Sequence, residues 1–317
     1  MTVDVVGAID VGGTKIAVGL VDADGQILEQ EVCPSEPVKQ LPRALDTLEA
    51  MLRACLTRRP DARLLGVGVG CTGPVDPVTG MLGPNTFLPG WEGFNLIDLL
   101  EARFGVPAAV ENDADAAALG ETAWGAGRGA SRCIYITVST GIGGGIVLDG
   151  ALYRGAGGAH PELGHIVIEA GYGAGDASDP CFCGSRGCWE SLASGPAFAG
   201  WYNTQAAERG LNLLEADART VCQRAGVGDT LAQEAVLREG YYLGVGLANL
   251  ISAFVPEVIV LGGGVMQSWL LFEAQVQAVI RQNCGLVPWQ RTELRPAALG
   301  ARTGLAGAAR VWFHRYL

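Results

Sequence analysis

Two stretches far apart in the chain, VVGAIDVGGTKIAVGLVD and CIYITVSTGIGGGIVLDGALYRG, follow one plan. Each reads as an apolar β-forming run, a Gly-rich turn, a second β-forming run and a further tight turn, Asp24-Gly25 in the first and Asp149-Gly150 in the second. Such self-similarity restricts the chain to two related lobes, each led by a β-hairpin whose turn points at a shared cleft. Helical periodicity fills the rest. PRALDTLEAMLRACLTRR carries apolar positions at helical spacing, FNLIDLLEARFG should end at Gly105, DADAAALGETAWGAG should begin on an Asp cap, and GYYLGVGLANLISAFV should stop before Pro256. No linker, low-complexity tract or charge block divides them. The expected class is α/β with two lobes.

Glycine turns of this kind suit phosphates. Lacking side chains, they let the backbone N–H groups of Gly12, Gly13 and Thr14 approach an anion closely, and Thr140 to Gly144 offer the same on the other lobe. Taken singly, each is a tight turn that needs positive φ. As a pair they favour a nucleotide, with two turns on one triphosphate. Neither has the P-loop spacing, and neither opens a helix as a dinucleotide fingerprint would, because the IVL after Gly145 is β-forming.

The 317 residues are 49% hydrophobic and only 17% charged, enough to bury a large core or two. A net charge of -11 with scattered Lys and Arg leaves no basic stripe, so duplex nucleic acid is a poor partner and any bound phosphate must be held locally. The opening VDVVGAIDVGG lacks a basic segment followed by an apolar one, so a cytoplasmic location is expected. The most membrane-like stretch contains Asn249, Ser252, Pro256 and Glu257, which argues against a bilayer span and for a helix-turn-strand unit.

Nine cysteines are present. Most sit singly in apolar surroundings and read as buried reduced thiols. Cys181, Cys183 and Cys188 form C-x-C-x4-C with interleaved Gly184 and Gly187, a tight knuckle whose thiolates can converge. A metal is the natural occupant; packing without metal and a redox pair are weaker readings, since C-x-C is strained for a disulfide. Zinc wants four N or S ligands, and of the nearest imidazoles, His160 and His165, His165 is favoured.

DVGGTK, GPNTFLPGW, ENDADAAALGE, TVSTGIGGG, GAGGAHPELGHI, CFCGSRGCWESLASG and VIVLGGGV, in that order and nearly end to end, together resemble the ROK family of sugar kinases and sugar-responsive repressors. The resemblance implies a two-lobed actin-like, hexokinase-like ATPase fold with a central cleft: a small lobe of residues 1–112 plus 300–317, and a large lobe of 113–299 bearing a zinc knuckle at 165–190. It implies ATP and magnesium, with phosphate contacts at Asp10, Gly12, Gly13, Thr14 and Lys15 and at Thr140, Gly141, Gly143 and Gly144, and the adenosine side near Gly263 and Gly264. Asp10 resembles the family's acidic group near magnesium. Asp113 falls where the family's catalytic base lies, a sensible place for a carboxylate that must take the attacking hydroxyl's proton. The weaker reading is that it merely caps the following helix, which Asp115 could do as well. Asn85, Asn112, Glu162, His165 and Glu190 match the sugar side. Structural zinc on His165, Cys181, Cys183 and Cys188 would orient the His165 ring rather than catalyse, since four protein ligands leave no open position.

The expected reaction is ATP-dependent phosphorylation of a hexose, glucose first, with fructose, mannose and N-acetylated amino sugars as alternatives and polyphosphate as an alternative donor. HPELGH is also similar to the fructokinase branch, although that branch typically replaces one knuckle Cys by His. The segment EAGYGAGDASDP between His165 and Cys181 is longer than in the glucokinase branch. A repressor of the family carries a winged helix-turn-helix ahead of the phosphate loop, whereas DVGGTK begins at residue 10 here. A non-catalytic sugar-binding protein is a third possibility. The resemblance implies a homodimer or homotetramer, with no nucleic-acid or membrane partner.

Overall fold

Strands β1 (Val3–Val11), β2 (Lys15–Val21) and β3 (Ile27–Pro34) form an antiparallel meander. The hairpin between β2 and β3 turns at Gly25 with φ 77°, and Asp22 Oδ1 accepts from the N–H groups of Asp24 and Gln26. Helix α1 (Leu41–Arg58) follows, then β4 (Ala62–Cys71), α2 (Leu96–Phe104), β5 (Ala108–Asn112) and α3 (Asp113–Trp124). The computed structural model describes residues 2–13, 15–35, 40–85, 88–171, 181–211 and 214–317. α2 is capped by Asn95, whose side chain accepts from the Asp98 N–H, and it ends as expected at a left-handed Gly105.

The chain continues through β6 (Arg132–Val138), β7 (Ile142–Leu148) and β8 (Ala151–Leu152). Helices α4 (Trp189–Ala193), α5 (Gly195–Glu208), α6 (Ala218–Gly226) and α7 (Thr230–Phe254) come next, then β9 (Val258–Gly262), α8 (Trp269–Asn283), β10 (Glu293–Pro296) and α9 (Thr303–Tyr316). α7 stops at a left-handed Val255, with Pro256 next, as the sequence suggested.

Two five-stranded sheets result, ordered β3-β2-β1-β4-β5 and β8-β7-β6-β9-β10. The orders coincide position by position, so the duplicated hairpin plan extends to the whole sheet. In the first, β1, β4 and β5 are parallel; in the second, β9 and β10 are parallel and β7 and β8 antiparallel. This is the mixed α/β architecture expected of an actin-like ATPase.

Contacts divide the chain into two compact units, residues 1–135, 145–161 and 297–317 in one, and 136–144 and 162–296 in the other. The sequence reading drew its line at Asp113. Contacts instead group α3 with the first unit because it packs on α9: a Cβ added at Gly120 would lie 2.9 Å from the Gly307 Cα, so the two helix backbones nearly touch. The first unit's core is Val5, Ile9, Val18, Leu20, Leu48 and Leu52 with Trp91 and Leu100, all nearly inaccessible to water. In the second, Trp189 is fully buried beneath Gly246 of α7, and Phe198 meets Phe272 edge-on at 5.9 Å.

Two local expectations need correction. The cap of α3 is Asn112 rather than an Asp: its Oδ1 accepts from the N–H groups of Ala114 (2.8 Å) and Asp115 (3.4 Å). The second Gly-rich turn is also shorter than Thr140 to Gly144, because Gly143 and Gly144 lie within β7 and only Ser139 to Gly141 make the connection. A β-forming tail drew the glycines into strand. Among the described residues, no helix is long and apolar enough to cross a membrane.

Candidate active site

Register brings the first unit's polar residues together. Asp10 pairs with Gly70 and Gly70 with Glu111, while Val11 pairs with Cys71 and Cys71 with Asn112, so the carboxyl ends of β1, β4 and β5 finish side by side. That edge of a parallel sheet is where ligands bind in α/β proteins. It presents Asp10 from β1 and Asn112 and Asp113 from the β5–α3 junction. Asn85 Nδ2 donates to the Thr72 carbonyl at 2.6 Å, and Asn112 Nδ2 reaches the Gly73 carbonyl at 3.5 Å, so both asparagines close on the turn after β4.

Asp113 sits partly exposed in the first turn of α3, with its Oδ1 accepting from the Ala114 N–H at 2.9 Å. Burial raises its carboxyl above the ordinary range, while that N–H and the His160 ring pull it down. Asp10 is pushed up to about 6, mainly by burial and then by the charge of Asp113, with Lys15 opposing. Crowding contributes: a side chain at Gly304, in the first turn of α9, would strike the Asp10 carboxylate. The Cys71 thiol is driven well up by burial and by the Asp113 and Asp10 charges.

The first glycine turn is less open to an anion than its composition suggested. The Gly12 N–H donates to the Lys15 carbonyl at 3.1 Å, closing the hairpin, and the Gly13 carbonyl accepts from Ser35 Oγ at 2.6 Å. Lys15 is exposed at the start of β2, and Thr14 lies outside the described residues.

In the second unit the turn is pinned on both sides. Ser139 N–H donates to Gly141 O, the Gly195 N–H at the start of α5 donates to Ser139 O, and the Ile142 N–H donates to Glu190 Oε2, each at 2.8 Å. Beside it opens a cavity of about 330 Å³ whose walls include Ser139, Thr140, Asp217, Cys222, Gly264 and Ser268. Gly263 supports that wall with φ 91°, and a Cβ there would collide with the Val138 carbonyl, so only glycine fits. Of the expected nucleotide residues, Thr140 and Gly264 thus line one cavity, Gly141 shapes the turn, and Gly143 and Gly144 belong to the strand.

The knuckle residues converge in the same unit. Ligand atoms of His165, Cys181, Cys183 and Cys188 all lie within 4.8 Å of one another, and His165 Nδ1 is 3.7 Å from Cys181 Sγ. A tetrahedral zinc site has S···S edges of roughly 3.8 Å, so this one-nitrogen, three-sulfur set fits that ion. The knuckle folds through Gly184 at φ 87°, with the Gly184 N–H donating to Cys181 O and the Cys181 N–H to Ser185 O. Burial, reinforced by the neighbouring thiols, pushes Cys181 up to about 12. Burial also raises Cys183, but hydrogen bonds from Ser185 and the other cysteines outweigh it and leave the thiol below its usual range. Phe182 stacks edge-on against the His165 ring at 4.9 Å. Glu162 is exposed, its carbonyl accepting the His165 N–H, whereas the Glu190 carboxylate is engaged by the Ile142 amide. Residues 172–180, most of the long segment before the knuckle, lie outside the described residues.

Two pairs escaped the sequence reading. Glu111, buried in β5, is ion-paired with Arg154, and its carboxyl is pushed up to about 7 by burial despite that partner. His160, considered for the metal, instead bonds Asp115 of α3 through Nδ1 at 2.8 Å. Local motifs cannot reveal such pairs, because their partners are far apart in sequence. The chain's three histidines nevertheless made each one worth tracing.

Comparisons with known proteins bear on the family and the fold. A glucokinase of Streptomyces coelicolor is 34% identical over 316 residues, 95% of each chain. A xylose repressor of Bacillus spizizenii is 29% identical over 98% of this chain and 77% of its own. The crystal structure of a ROK family glucokinase from Streptomyces griseus in complex with glucose and AMPPNP superposes with a TM-score of 0.79 at 32% identity, covering 96% of this chain and 98% of that one. The sequence profile of the ROK family matches residues 6–315, nearly the whole length, and the chain therefore belongs to the ROK family.

Proposed function

We propose that this protein is an ATP-dependent hexose kinase that converts glucose to glucose 6-phosphate. The observation that carries the reading is Asp113: a carboxylate in the first turn of α3, directly after the parallel strand β5 and within electrostatic reach of Asp10, with its affinity for protons raised by burial. In this reading Asp113 accepts the proton of the attacking hydroxyl as the O–P bond forms. Asn85 and Asn112 frame that hydroxyl-binding edge, each already anchored on the turn after β4. In the second unit, the carboxylates of Glu162 and Glu190 are acceptors suited to a polyhydroxylated ligand, and His165, with one ring nitrogen on zinc, would offer an N–H donor.

Nucleotide binding is supported by the AMPPNP in the Streptomyces griseus relative, and the cavity lined by Thr140 and Gly264 is assigned to it. Magnesium bound to the triphosphate supplies charge neutralisation, and Asp10 is the carboxylate assigned to its neighbourhood. Zinc on the knuckle supplies rigidity: it would fix the His165 ring and tie down the loop that leads into Glu190. Glucose is favoured over other hexoses by the glucokinase relative and by the retention of all three knuckle cysteines.

A coupled ADP-release screen over glucose, fructose, mannose and N-acetylmannosamine, with and without magnesium and with polyphosphate in place of ATP, tests this. Magnesium-dependent ADP release that is fastest with glucose is expected. No release with any sugar would sink the kinase reading, and a faster rate with another hexose would replace the substrate.

A further inference from the structure

Asp115 is 1% exposed in the first turn of α3, two residues beyond Asp113, and only one of its carboxylate oxygens is used. Oδ2 lies 2.8 Å from His160 Nδ1, whereas Oδ1 meets no donor among the described residues. A buried carboxylate so poorly served by neutral donors calls for a cation, and an imidazolium donating through Nδ1–H supplies one. The ring is itself well enclosed, with an 11% exposed side chain, so the clamp leaves it little freedom.

The same ring acts on Asp113, whose carboxyl it draws down against the effect of burial. The surroundings are otherwise mostly anionic. Asp10 of β1, Glu111 of β5 and Asp115 of α3 all bear on this cluster, Cys71 of β4 lies within reach of the Asp113 charge, and Arg154 is engaged by Glu111. When protonated, His160 is thus a positive charge that bears on Asp113.

We propose that His160, clamped by Asp115, is a positioning residue for Asp113, a fixed positive charge that keeps the base ionised as the sugar hydroxyl arrives. The proposal rests on the reading of Asp113 as general base. It has a definite pH signature. The imidazolium is present at low pH, in the window where Asp113 would otherwise take up a proton, and is gone at high pH, where the carboxylate is ionised without help.

The test is the pH profile of kcat/KM for the wild type, His160→Gln and Asp115→Asn, with Asp113→Asn as a reference and thermal melts to verify folding. Asp115→Asn, which also removes a charge that raises Asp113, should move the acid limb less than His160→Gln, which should move it upward by about one unit, the scale of a neighbouring opposite charge. In His160→Gln, activity near pH 6 should fall about tenfold while activity near pH 9 stays within about twofold of wild type. An unmoved acid limb in His160→Gln, or an equal loss at every pH, would overturn the positioning role, since a packing residue gives the second pattern. Should His160→Gln fail to fold, His160→Asn, which also removes the charge and keeps a side-chain donor, carries the same test. Full activity in Asp113→Asn would instead overturn the base assignment itself, so the two failures are distinguishable.

Discussion

Glu121 in α3 and Thr303 at the start of α9 are joined side chain to side chain, with Thr303 Oγ1 donating to Glu121 Oε1 at 3.3 Å. The same carboxylate, fully buried, also accepts the N–H groups of Leu299 at 3.0 Å, Ala298 at 3.1 Å and Ala126 at 2.8 Å. It therefore gathers the turn that launches α9, which in turn presses Gly304 toward Asp10.

Truncating Glu121 would remove the acceptor shared by three amides, that of Leu299 buried. Glu121→Ala is expected to lower the unfolding free energy by about 3 kcal/mol, the scale for breaking a buried charged hydrogen-bond network. Urea titration checks this, and a loss below about 1 kcal/mol would mean that the amides find other partners.

Replacing the proposed base tests chemistry apart from binding. Asp113→Asn keeps the shape and the oxygen that accepts the Ala114 N–H, so α3 should persist while kcat falls by roughly 10²- to 10⁴-fold and sugar affinity is largely kept. Steady-state kinetics with calorimetric sugar binding read the two separately. A retained kcat would reduce Asp113 to a helix-terminal residue.

The knuckle predicts a coupled loss. Protein purified without chelator should hold one zinc per chain, and Cys183→Ser should lose it together with sugar affinity, raising KM for sugar more than for ATP. Metal analysis alongside kinetics decides. Full activity at less than about half an equivalent of zinc would leave the cysteines as packing only.

Asp10 predicts a pH dependence of stability. Its carboxyl is raised from 3.8 to about 6, so the folded state binds the proton more tightly than the unfolded chain does. The stability it contributes is therefore complete below about 4 and is lost as pH climbs through about 6. Asp10→Asn should remove that component, so that the difference in melting temperature between variant and wild type widens from pH 4 to pH 7. A constant difference would show that Asp10 titrates normally.

What the sequence disclosed follows from the range of the forces involved. Gly105 ended α2, Pro256 bounded α7, and the Asp24-Gly25 turn closed its hairpin, because each effect acts within a few residues. The knuckle was readable because its three thiols are neighbours in the chain. Duplication was legible in two hairpins and proved to extend over both sheets. The limits of the second glycine turn were missed because a run such as IGGGIVL can serve as turn or strand until a neighbouring strand claims it. The partners of His160, Glu111 and Glu121 were illegible for a different reason. They arise from segments that only tertiary packing brings together, and no local pattern encodes them.

Asp10 and Asp113, crowded at the ends of their strands, hold their protons more tightly than free carboxyls do, so each ionised form weighs against the folded state. Neutral replacements at this edge should make the protein sturdier as they make it inert, a direct opposition between robustness and turnover. A laboratory selection for heat resistance without substrate would then drift toward dead enzymes. The same selection with ligand present, which would stabilise the folded state by mass action, should retain the acids.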